Sequence, residues 1–147
     1  MKRKFYLVAT LLLSLTLALC AFTGCKPSGT TEKVTLESVT ENMVVMKVIK
    51  TKGEASALSA LTKLKEDNQI EFEHKDSGYG TYITSINGKS EVNGYSWMLY
   101  TSDAEFSTTE FGSVTYDGKT YGQASLGASS LVVKEGELYI WAYTAWM

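Results

Sequence analysis

Two dipeptides, Asn87-Gly88 and Asp117-Gly118, constrain the fold more than any other feature of this chain. Both suit the positive φ that a two-residue hairpin turn demands of its central residues, and both follow β-branched and aromatic side chains. The stretch from Thr81 to Ile86 leads into the first turn, and Val114-Thr115-Tyr116 leads into the second. A strand pair is predicted at each, the second being an extra β-hairpin over Ser113 to Tyr121. Upstream, the stretch from Lys33 to Val39 alternates with Val34, Leu36 and Ser38 on one side, and Met43 to Lys50 supplies Val44, Val45, Val48 and Ile49. These read as two strands joined by a tight turn. Further strands are predicted over Ile70 to His74, Tyr95 to Thr101 and Leu138 to Trp146.

The period changes once. From Ala55 to Glu66, after the break at Gly53, Ala57, Leu58, Leu61 and Leu64 share one helical face, and Lys63 and Lys65 fall in the last turn, where they complement the helix dipole. Two strands, one helix and then a run of strands describe an α+β fold with a mixed sheet packed on one helix.

The N-terminus carries a different signal. Lys2, Arg3 and Lys4 precede an apolar run from Phe5 to Phe22, and the sequence then reads Phe22-Thr23-Gly24-Cys25. A basic start, a Leu-rich stretch and small residues before a cysteine form a lipobox, in which the thiol is acylated before cleavage. Cys20 competes for that role, but Leu17-Ala18-Leu19 places a bulky residue at the cut. The competing reading is a retained anchor helix, since the run is almost long enough to span a bilayer. The expected organisation is a lipoprotein signal peptide over 1–24, a lipid-anchored tether over 25–32 that holds the only proline, Pro27, and a folded domain over 33–147. The expected location is the extracytoplasmic side of a cell membrane, with the lipid on Cys25 as the anchor.

Losing the leader removes three cations, so the remaining chain is more acidic than the whole-chain formal charge of −2. It also removes the only arginine, and with it the planar fork that grips phosphates. Nucleic acid is therefore not an expected partner. With Cys20 cut away and Cys25 acylated, no thiol remains as nucleophile or metal ligand. The single histidine, His74, has no converging partner in sequence and reads as an ordinary strand residue. Asp103 and Glu105 fit no calcium-loop spacing, and Gly78-Tyr79-Gly80 leads into a strand, so it reads as a turn and not as a phosphate loop. The chain is expected to be no enzyme and to hold no metal or resident cofactor. What remains unusual is the supply of Tyr and Trp, nine and three in the whole sequence with only Tyr6 in the leader, whose flat faces and polar tips suit a bulky ligand or a protein surface. Aromatics on strands also commonly fill cores.

The order of motifs carries a resemblance. The stretch from Tyr79 to Gly88, then Tyr95-Ser96-Trp97-Met98-Leu99-Tyr100, Gly127-Ala128-Ser129, Glu135-Gly136-Glu137 and the terminal aromatic strand resemble the C-terminal β-domain of transcobalamin and intrinsic factor. Bacterial envelope proteins are similar and form a transcobalamin-like family. The resemblance spans about Met43 to Trp146, and it implies a β-grasp-like fold in which a sheet cradles one helix. It also implies a binding surface for cobalamin or a related corrinoid at Tyr82, Thr84, Asn87, Trp97, Tyr100, Ala128 and Ser129. The alternative is a module that binds an envelope protein or cell-wall polymer through an exposed strand or the extra hairpin.

Overall fold

The computed structural model describes residues 26–146; the expected leader and Cys25 lie outside the described residues. Strands β1 (Thr30–Val39) and β2 (Met43–Lys52) form the first hairpin. β1 begins inside the segment expected to be tether. Thr30 and Thr31 pair with Lys52 and Thr51, and the Thr31 N–H donates to Ser59 Oγ at 2.8 Å, so that backbone is held and not free. Helix α1 (Ala57–Glu66) starts two residues later than the periodicity indicates, because the Ser56 hydroxyl caps it by accepting from the Ser59 N–H at 3.1 Å. Ala57, Ala60, Leu61 and Leu64 form its buried face, and Lys63 and Lys65 lie in its last turn.

Two sheets follow. β3 (Phe72–Ser77), β4 (Gly80–Ile86) and the short β5 (Lys89–Ser90) make a three-stranded sheet. The larger sheet takes in β6 (Tyr95–Thr101), β7 (Ser107–Tyr116), β8 (Lys119–Ala124) and β9 (Leu138–Ala145), in the order β1-β2-β9-β6-β8-β7. Both predicted turns are present, with φ of 49° and 80° at Asn87 and Gly88 and 48° and 70° at Asp117 and Gly118. Among the described residues the fold is thus mostly β-sheet with one short helix.

The expected mixed sheet is corrected, for every strand pair is antiparallel. Parallel neighbours need a crossover connection, and the one connection here with a helix leads from β2 into the smaller sheet and not back beside a strand of the larger. The expected extra hairpin is longer than Ser113 to Tyr121 and is part of the main sheet. β8 pairs with β6 through Tyr100–Gln123 and Thr101–Gly122, and β7 forms the edge.

The main core lies between α1, the smaller sheet and one face of the larger, and includes Leu61, Leu64, Ile83, Ile86, Trp97 and Trp141. A second cluster, Val45, Tyr100, Ile140 and Ala142, occupies the other face of the larger sheet, where Val114, Tyr116 and Tyr121 of the β7–β8 hairpin pack on it. The smaller sheet is locked to the larger by polar contacts at its β5 end. The Trp97 indole N–H donates to the Lys89 carbonyl at 2.8 Å, and the Tyr143 hydroxyl donates to the Ser90 carbonyl at 3.0 Å. Lys89 Nζ lies 4.6 Å from the Tyr143 ring centroid, within cation–π range.

Candidate functional site

Where β4 of the smaller sheet faces β6 of the larger, they do not close on each other completely. A cleft of about 210 Å³ opens between them, with Thr81, Tyr82 and Ile83 on one wall and the segment Gln123 to Ala128 on the other. Its floor is formed by Trp97, Leu99 and Trp141. The floor follows from strand pairing: Leu99 is the cross-strand partner of Trp141, and Trp97 lies two residues back on the same face of β6.

The far wall is pinned from three directions. The Ser129 hydroxyl accepts the Thr81 N–H at 3.0 Å, tying the wall to β4, while the Ala128 carbonyl accepts the Leu58 N–H at 2.8 Å from the helix. Within the wall, the Gly127 carbonyl accepts from the N–H groups of Ser130 and Leu131 at 3.0 and 2.9 Å. The near wall is fixed at its rim. Lys75 Nζ sits 5.4 Å from the Tyr82 ring centroid and 3.3 Å from Glu91 Oε1. Hydrogen bonding to Tyr82 first, and to Lys75 next, holds the Glu91 carboxyl below the ordinary carboxylate range; burial raises the Tyr82 phenol above its usual value.

Two properties of this cleft bear on its chemistry. None of its lining residues carries a formal charge, in a chain of which 20% is charged. The Trp141 side chain in its floor is 3% exposed, and its indole Nε1–H, buried beneath the cleft surface, has no hydrogen-bond partner among the described residues. A buried N–H left unpaired costs about 1–3 kcal/mol, so native structures rarely keep one without a use.

The structure brings together three of the expected ligand-binding residues, Tyr82, Trp97 and Ala128, as cleft lining. The other four are elsewhere. Ser129 supports the wall from behind. Thr84 is half-buried and outside the cleft, where its carbonyl accepts the Glu91 N–H at 3.0 Å. Asn87 is a turn residue that exchanges two hydrogen bonds of 2.9 Å with the Glu71 backbone. Tyr100 belongs to the opposite face of the sheet, 3% exposed, with its hydroxyl 3.2 Å from Thr144 Oγ1. Conversely, Leu99, Trp141 and the residues from Gln123 to Leu126 were not expected in the site. Alternation from Trp97 marks Leu99, but nothing local marks Gln123, which reaches the cleft only through the long-range pairing of β8 with β6.

His74 is exposed and tilted against Phe72, with ring centroids 5.9 Å apart. Among the described residues, no three His, Cys, Asp or Glu side chains gather as a metal site would require. The chain matches no family model, no curated protein and no solved structure.

Proposed function

We propose that the protein is a lipid-anchored, extracytoplasmic binding module whose ligand enters the cleft between β4, β6 and the wall from Gln123 to Ala128. One observation carries the reading: a concave, uncharged surface with an aromatic floor stays open between two sheets that elsewhere pack tightly. Few, well-placed polar groups around an apolar surface are what small-molecule sites use. The lipobox at Cys25 supplies the anchor, and the resemblance to the transcobalamin-like β-domain, with its β-grasp-like fold, makes a corrinoid the first ligand to test. At about 210 Å³ the cleft is smaller than a drug-sized pocket of roughly 300–1,000 Å³, so it would grip one edge of such a ring and leave the rest outside.

Equilibrium dialysis of the full-length protein in neutral detergent against cobinamide and cobalamin tests this. Saturable retention is expected, weakened about tenfold or more in Tyr82→Ala, which removes an aromatic wall without opening the core. No retention at millimolar ligand would remove the corrinoid from consideration. A second reading, contact with an envelope protein or cell-wall polymer, is favoured by Phe111. That side chain is 71% exposed on edge strand β7, at the irregularity in register between Thr108 and Ser113. Retention of cobinamide that depends on Tyr82 would favour the cleft over this surface.

A further inference from the structure

We infer that a second site, a groove on the other face of the larger sheet, binds a neutral saccharide chain between Phe111 and Trp146. It is separate from the cleft, and it gives the surface around Phe111 a ligand class. The groove has a volume of about 400 Å³. Strand pairing sets its floor. Met98 and Tyr100 share one face of β6, Gln123 is the cross-strand partner of Tyr100, and Thr144 is the partner of Ser96 on that same face. In the sheet order β9 and β7 flank β6 and β8, so the groove has one side from each. Glu110 and Phe111 line it where β7 loses register with β8, and Ala145 and Trp146 line it at the end of β9.

The side chains select the ligand. Phe111 is 71% and Trp146 58% exposed, and the apolar C–H face of a sugar ring can cover such flat surfaces. Between them the floor is polar. A Cβ on Gly112 would stand 3.8 Å from both Gln123 Oε1 and the Tyr100 hydroxyl, so these two groups converge beside β7, and the hydroxyl lies 3.2 Å from Thr144 Oγ1. Amide and hydroxyl side chains both donate and accept, as sugar hydroxyls do. An apolar peptide side chain seated there would leave polar groups unpaired. Glu110 is the only charged residue of the lining, which opposes an anionic ligand.

Position in the sheet favours a polymer outside the bilayer over the lipid itself. The fold already holds the chain at Gly29, whose N–H donates to the Glu54 carbonyl at 2.8 Å. β1 then starts where Thr30 pairs with Lys52, whereas Trp146 follows the opposite end of the sheet, where Ala142 pairs with Met43. Strands of ten residues put roughly 30 Å between those ends, while the four steps from Cys25 to Gly29 reach about 14 Å at most.

Trp146 makes the test direct, because Trp97 and Trp141 are only 2% and 3% exposed. The full-length protein, in a polyoxyethylene detergent that carries no sugar, is titrated with the N-acetylglucosamine trimer, cellotriose and, as the charged control, a galacturonate trimer. The three indole N–H resonances are followed. At least one neutral trimer is expected to move the Trp146 resonance saturably, to leave Trp97 and Trp141 in place, and to bind about tenfold more tightly than the acidic trimer. Phe111→Ala removes an exposed ring and is expected to weaken the neutral trimer about fivefold, with unmoved Trp97 and Trp141 resonances showing that the fold is intact. No saturable change with either neutral trimer, equal affinity for the acidic one, or affinity indifferent to Phe111→Ala would overturn the inference. Cobinamide retention in Phe111→Ala reports on the cleft alone, so the two readings fail separately.

Discussion

Tyr82 and Tyr100 show how a single side chain's position divides a place in the cleft from a packing role. Both were expected in the site, yet Tyr82 forms the cleft wall while Tyr100 is buried on the far face of the sheet. The parity of β6 already separates them: Trp97 and Leu99 share one face, Met98 and Tyr100 the other, so Trp97 and Tyr100 cannot serve one surface. Tyr139 makes a different residue-scale point. Burial pushes its phenol up to about 12, although the Lys134 N–H donates to its oxygen at 2.8 Å and partly opposes the shift. The folded protein therefore holds this proton where the unfolded chain, near 10.0, has released it. Its contribution is complete below pH 10 and is lost as pH rises through about 12. Melting temperatures measured across that range are expected to fall more steeply for the parent than for Tyr139→Phe; parallel slopes would mean that Tyr139 is not the group responsible.

At the scale of elements, local chemistry announced most of what formed. The strand from Tyr95 to Thr101 has the expected ends, both turns sit on their dipeptides, and the helix buries the expected Ala57, Leu61 and Leu64, with Ala60 in place of the half-buried Leu58. What could not be read was which strand lies beside which. β9 enters between β2 and β6, a placement decided by long-range pairing such as Val44 with Trp141 and Trp141 with Leu99, which leaves no mark in neighbouring residues. The joining of β8 to β6 is similar, and the pairing of β8 with β7 depends on a close backbone approach at Gly122. A Cβ there would stand 2.6 Å from Ser107 Oγ and 2.7 Å from the Thr108 carbonyl carbon. Gly122→Ala is accordingly expected to cost about 1–3 kcal/mol, read as a lower denaturant midpoint, and to loosen the neighbouring wall at Gln123 and Ala124. An unchanged midpoint would show that β7 and β8 can separate there without cost.

For the whole molecule, the proposed binding role depends on two sheets held together at one end and apart at the other. The β5 end is closed by Trp97 on the Lys89 carbonyl and Tyr143 on the Ser90 carbonyl, while at the β4 end Ser129 ties the strand to the wall that follows β8. This arrangement leaves a cleft whose floor, Trp97, Leu99 and Trp141, is the edge of the buried core itself. The sequence made the aromatic supply and the turns legible; the cleft itself arises from packing between distant segments, which explains why only part of its lining could be named beforehand.

Amide hydrogen exchange of the full-length protein with and without saturating cobinamide tests the central claim most directly. The account expects slowed exchange confined to residues 80–83, 97–99 and 123–128. Protection centred on Phe111 and β7, or no protection at all under conditions where cobinamide is retained, would contradict it.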